Sequence, residues 1–113
     1  MFYPIKLDKM RNFRYDMRAI DRIEKAFGKP LMKIDELQDP SFLTVEQAAT
    51  LIWAGLAHED KDLTPDKVID LVSEHSTQYE ALKEMWKAFY ESQGIEVKEE
   101  TEETEVETDE KNE

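Results

Sequence analysis

Fifteen residues, Thr44–His58 (TVEQAATLIWAGLAH), constrain the fold of this chain more than any others. From Ala48 to Ala57 every residue except Thr50 is apolar or glycine. A membrane-spanning helix needs about 20 such residues, so this run reads instead as a helix buried inside a small domain. Thr44 and Gln47 make the T-x-x-Q capping box that starts a helix. Val45, Ala48, Ala49, Ile52 and Leu56 fall on one stripe, while Leu51, Trp53 and Ala54 cover other faces. The helix should therefore be surrounded by protein. Gly55 costs about 1 kcal/mol against Ala in a helix interior, and close approach of another helix is the expected reason for it.

The flanking segments supply the surroundings. Tyr3, Ile5 and Leu7, then Phe13 and Tyr15, alternate as two short strands of a hairpin would. Two strands are marginal alone, so the hairpin must lean on helices or on another subunit. Asp16 is a suitable N-cap for a helix with Met17, Ile20, Ile23 and Phe27 on one face and Gly28 as its C-terminal stop. Pro30 begins a short second helix with Leu31, Ile34 and Leu37 as anchors. Leu63-Thr64-Pro65-Asp66 opens a helix with Val68, Ile69, Leu71 and Val72 as its apolar side. Thr77 and Glu80 form a further capping box, before Tyr79, Leu82, Met85, Trp86, Phe89 and Tyr90; Gly94 ends that helix. Residues 95–113 have almost nothing to bury and are expected to be a disordered acidic tail. The expected fold is mainly α: a single domain over residues 1–94 with about four to five helices and a short N-terminal β-hairpin, followed by that tail.

Charge is unevenly spread along the 113 residues, whose formal net charge is −12. Residues 1–34 hold nine Lys/Arg and four Asp/Glu, net +5. Residues 35–94 hold four bases and thirteen acids, net −9, and residues 95–113 hold two bases and ten acids, net −8. An acidic body disfavours nucleic acid, whose phosphates require a cationic surface. The chain has no cysteine, which excludes disulfides and thiolate chemistry. MFYPIKLDKM lacks a basic start followed by a long apolar run, so no secretory leader is expected, and no segment reaches transmembrane length.

Motifs for chemistry start and then fail. Asp60-x-Asp62-x-Thr64-Pro65-Asp66 begins like a calcium loop, but Pro65 stands where the sharp turn needs Gly and Leu71 where a bidentate Glu is needed. His58-Glu59 begins like a zinc-protease helix, but Asp62 replaces the second His. His58 should instead close its helix C-terminus, and His75 should be half-buried beside Leu71 and Val72. The three glycines are scattered, so no phosphate-cradling loop exists. No catalytic, cofactor-binding or metal-binding residue is predicted, and no cofactor. A helix-turn-helix reading of the last two helices places Glu80, Glu84 and Glu91 against Lys83 and Lys87, which disfavours duplex DNA. Arg11, Phe13, Arg14, Tyr15 and Arg18 form the one basic, aromatic cluster. This cluster is the one candidate nucleic-acid surface; alternatively it is the solvated face of a packed hairpin, or the basic head of one subunit meets the acidic body or tail of the next.

The order of pieces resembles a known family. RYDMRAIDRIEKAFGKPL after a polar hairpin, then L-I-W-A-G-L, then L-T-P-D-K-V-I-D-L-V and an amphipathic helix is similar to the tail assembly chaperones of long-tailed bacteriophages, including the group shared with gene transfer agents. The match covers roughly residues 3–92, and Trp53-Ala54-Gly55-Leu56 with Leu63–Val68 carries most of it. The resemblance implies a non-enzymatic phage or prophage protein that binds the tape measure protein and self-associates. It implies the host bacterial cytoplasm, absence from the mature virion, and no nucleic-acid or membrane partner. Many members are also made in a frameshifted longer form; Glu110-Lys111-Asn112 can be encoded by a slippery A AAA AAC run, although it is an ordinary tripeptide.

A tape measure chaperone needs apolar surface to offer. The last helix has more apolar residues than a small core requires, which makes Met85, Trp86, Phe89 and Tyr90 the candidate partner-binding residues. Closure of the domain's own core accounts for them equally well. Arg14 and Arg18 are the candidates for self-association through the basic head. A different class of function also fits the charge: an acidic regulatory decoy binding a cationic protein surface, with strong salt dependence.

Overall fold

The computed structural model describes residues 3–37, 39 and 42–94. In chain order they form β1 (Pro4–Lys6), β2 (Met10–Asn12), α1 (Met17–Phe27), α2 (Val45–Leu56), α3 (Pro65–His75) and α4 (Gln78–Ser92). The described residues are mainly helical, with four α-helices and a short N-terminal antiparallel hairpin. The tail expected at residues 95–113, the Glu110–Asn112 tripeptide included, lies outside the described residues.

Each helix starts where its capping residue dictates. Thr44 Oγ1 accepts from Gln47 N–H at 3.1 Å, and Gln47 Oε1 accepts from Thr44 N–H at 3.0 Å, completing the capping box of α2. Asp16 Oδ1 accepts from Ala19 N–H, Thr64 Oγ1 from Lys67 N–H and Thr77 Oγ1 from Glu80 N–H. These bonds satisfy donors that a helix N-terminus would otherwise leave unpaired. Gly28 closes α1 with φ 73°, a left-handed conformation that costs glycine no steric penalty.

The helix expected from Pro30 is not continuous. Leu31–Lys33 and Asp35–Leu37 are two single 3-10 turns. Ile34 between them takes φ −89° and ψ 99° and is buried, so the backbone leaves helical geometry to deliver that side chain to the core.

α2 is the centre of the domain and packs against α1, α3, α4 and β2. Ile23, Ile34, Leu51, Leu56, Val68 and Met85 are the largest fully buried side chains around it. Thr50 is also buried, its hydroxyl donating to Glu46 O at 2.8 Å. The Trp53 indole N–H donates to Leu63 O at 2.9 Å, which ties α2 to the loop before α3. Two expected apolar faces are rotated. Met17 is 84% exposed because Ala19 and Ile23 are the residues that α1 turns inward. Val45, in the first turn of α2, is 57% exposed.

The hairpin pairs Ile5 with Arg11 and Lys6 with Met10, so Ile5, Leu7, Arg11 and Phe13 point inward. The segment leaving β2 latches onto the end of α2. The four carbonyls that end α2, those of residues 54–57, lack helical partners, yet each has a donor. Ala54 O receives Arg22 Nη1, Gly55 O receives Arg14 N–H, Leu56 O receives Glu59 N–H and Ala57 O receives Asp60 N–H. The Tyr15 hydroxyl donates to Leu51 O at 2.7 Å, and its ring lies against Gly55. The close approach predicted at Gly55 is thus made by an aromatic ring from the hairpin exit. It is not made by another helix, because Tyr15 needs that bare backbone to reach the Leu51 carbonyl.

Arg11 anchors the hairpin electrostatically. It is buried, and its Nε and Nη2 donate to Asp8 Oδ1 and Oδ2 at 2.9 and 3.0 Å, while Nη1 lies 3.5 Å from Asp60 Oδ2. The hydrogen bonds from Arg11 lower the Asp8 carboxyl from its ordinary 3.8 to about 2. A depressed carboxylate contributes stability above its unfolded pKa and loses it as pH falls through the folded one. Urea unfolding is therefore expected to show an acid-side loss of stability between pH 3.8 and about 2 that Asp8→Asn reduces. An unchanged acid limb in Asp8→Asn would refute the assignment.

Candidate partner-binding surface

α4 carries three faces, set by its 100° step per residue. Ala81, Met85, Ala88 and Phe89 form the buried face. Glu80, Glu84, Lys87 and Glu91 form a polar face about a third of a turn away. The third face is a stripe spaced i, i+3, i+7, i+11: Tyr79, Leu82, Trp86 and Tyr90. Tyr79 is exposed, and the other three are half-buried against the core.

This arrangement divides the four residues predicted to meet a partner. Met85 is 0% exposed and Phe89 is 5% exposed, so these two pack into the domain's own core, and Phe89 also lines the groove described next. Phe89 meets the buried Tyr15 ring edge-on, with centroids 5.5 Å apart. Trp86 and Tyr90 keep part of their surface in solvent and stack on one another at 5.3 Å and 19°. The Tyr90 hydroxyl donates to Leu37 O at 3.0 Å, and burial pushes its pKa up. Tyr90 is thereby held rigid, which lowers the ordering cost of using it as a contact residue.

A groove of about 490 Å³ opens next to this stripe. Leu31, Met32, Ile34 and Leu37 line it from the connector, and Phe89, Tyr90 and Gln93 from α4. Met32 at its edge is 82% exposed. The irregular 31–37 connector makes this groove, because two single turns with Ile34 pinned inward leave Met32 facing outward. Sequence reading took the connector for a helix and so placed no surface here. Exposed Met and half-buried aromatics together suit an apolar, adaptable contact.

The basic, aromatic cluster does not survive as a surface. Phe13 and Tyr15 are buried, and burial raises the Tyr15 pKa well above its usual value. Arg11 is committed to Asp8 and Asp60. Arg14, with a 60% exposed side chain 3.8 Å from Asp16, and the exposed Arg18 are the members left at the surface. A base-stacking platform needs accessible rings, so this cluster cannot act as one.

The two histidines serve the fold's edges. His58 lies just past the end of α2, where its Nε2 donates to Asn12 O at 2.8 Å and adds to the hairpin latch. His75 lies 3.7 Å from Glu74 and is more exposed than its sequence neighbours Leu71 and Val72 suggested, since α3 turns Val68 inward. Asp60 Oδ1 accepts from Asp62 N–H at 3.0 Å, a local turn that precedes α3. Among the described residues, no group of three or more His, Asp or Glu could hold a metal ion, and no helix is long and apolar enough to cross a membrane.

No family model, curated protein or solved structure matches the chain. What can be said of its role comes from the surface just described.

Proposed function

We propose that this protein is a non-enzymatic tail assembly chaperone of a long-tailed phage or prophage. In this reading it binds the tape measure protein in the host bacterial cytoplasm, self-associates, and is left out of the mature virion. The observation that carries the proposal is the Trp86–Tyr90 stripe beside the Met32 groove. A tape measure chain is long, helical and amphipathic, and its keeper must offer rigid aromatic surface to apolar helix faces. The order of hairpin, capped helix, connector, central helix and two final helices is also the order on which the family resemblance rests. A frameshifted longer form belongs to the same reading, and a gene without any slippery run in its last dozen codons would remove it.

The test is co-expression of the full chain with the tape measure protein encoded beside its gene. A soluble complex should be recovered with the chain and an insoluble tape measure protein without it. Trp86→Glu with Met32→Glu should weaken capture by at least about tenfold, a modest demand on two contact residues. Both sites are partly or largely exposed, so the fold should be retained by circular dichroism. Undiminished capture by that variant would overturn the site. A tape measure protein that is soluble alone would overturn the function. Deleting residues 95–113 separates the acidic decoy: loss of all binding, together with strong salt dependence, would favour that reading instead.

A further inference from the structure

A second apolar groove lies between α2 and α3. Ala48, Ala49 and Ile52 of α2 and Val68 of α3 form its floor, with Val45 and Ile69 at the rim. It exists because α2 presents two alanines toward α3, too small to fill the space between the helices. Its volume of about 210 Å³ is several times the ~30 Å³ of one liquid water, room for a long unbranched side chain. α3 has Val68 as its one fully buried residue, and Ile69 and Val72 are half-covered.

The groove lies in acidic surroundings. The two helices that line it, α2 and α3, hold four Asp/Glu (Glu46, Asp66, Asp70 and Glu74) against one Lys, net −3. Lys67 is engaged with Asp62 O at 2.9 Å. Asp66 and Asp70 are exposed and stand three residues before the groove-lining Ile69 and Ser73, hence beside its rim.

The basic head presents the complementary shape. Met17 is 84% exposed at the first turn of α1, with Arg14 and Arg18 exposed on either side of it. Methionine is the side chain best suited to an irregular apolar gap, and paired arginines match an acidic rim. α1 and α3 each pack on α2 without forming a substantial contact with one another. We propose that Met17 of one copy seats in the α2–α3 groove of a second copy, with Arg14 and Arg18 meeting Asp66 and Asp70. The two patches differ, so the contact is heterologous: a bound pair leaves one head and one groove free, and assembly continues beyond a dimer. This gives residue-level content to the self-association in the reading above. It depends on no tape measure protein, so tape measure binding and self-association can fail separately.

Sedimentation velocity of the full chain tests it with two variants. Met17→Asp spoils the head and places an acid where a helix N-terminus favours one. Val45→Lys with Asp70→Lys spoils the groove at exposed positions. Each variant alone should associate at least about tenfold more weakly than the unmodified chain, which should form species beyond dimer that salt dissociates. An equimolar mixture should form dimers and stop there, because one intact groove and one intact head remain. Arg14→Glu or Arg18→Glu should weaken association in the same direction. Four results would overturn the contact: an unmodified chain that stays monomeric or stops at a dimer, a variant that associates normally, association indifferent to salt, or a mixture that stays monomeric.

Discussion

Gly55→Ala is expected to destabilise the domain by about 2 kcal/mol, although the same change stabilises an ordinary helix interior by about 1 kcal/mol. The sign is reversed by Tyr15. A Cβ at position 55 would stand 2.7 Å from the Tyr15 hydroxyl and Cε2, well inside van der Waals contact. The ring cannot step aside, because its hydroxyl is bonded to Leu51 O and its faces and edges meet Phe13 and Phe89. Overpacking of this kind costs about 1–3 kcal/mol and sometimes more, which outweighs the propensity gain. A shift of the ring would also disturb Arg14 N–H on Gly55 O, so the latch between hairpin and α2 loosens with it. Urea unfolding of Gly55→Ala, Tyr15→Leu and the double variant gives the coupling directly. In the Tyr15→Leu background the alanine should become neutral or stabilising, a coupling of roughly 2 kcal/mol. Gly55→Ala that stabilises the unmodified chain would show that the ring does not occupy this position.

The same pair shows what can be read from sequence and what cannot. Caps at Asp16, Thr44, Thr64 and Thr77 were legible because they depend on bonds within three residues. The burial of α2 was legible because a run apolar on every face has only one place to go. The meaning of Gly55 was half legible: a glycine inside such a helix announces close approach, but not by what. Tyr15 is forty residues away in sequence, and an aromatic in an alternating strand pattern looks the same whether it packs on a sheet or on a helix backbone. The 31–37 connector was misread because Leu31, Ile34 and Leu37 keep helical spacing in two separated turns. That error hid the Met32 groove, since the groove depends on where the chain stops being helical. For the candidate site, apolar enrichment of α4 pointed to the helix that carries the half-buried aromatic stripe. It could not say which side faces the core, because α4 has apolar residues over more than half its circumference.

Met85→Ala and Trp86→Ala settle that orientation, and the first should cost much more stability than the second. Met85 is fully buried between α4 and the rest of the core, and loss of its side chain leaves a closed cavity. Large-to-small changes at such sites cost about 2–5 kcal/mol. In a domain of this size that corresponds to a fall in Tm of at least about 8 °C. Trp86 is half-open, so solvent fills the space it vacates and the loss of stability should be the smaller of the two. The order reverses for partner binding. Met85→Ala should reduce binding only in proportion to the unfolded fraction, and an excluded osmolyte that restores the fold should restore capture. Trp86→Ala should stay folded and remain defective in the same osmolyte, because it removes contact surface. If Trp86→Ala proved the more destabilising change, α4 would have to be rotated about its axis, and the stripe from Tyr79 to Tyr90 would be core.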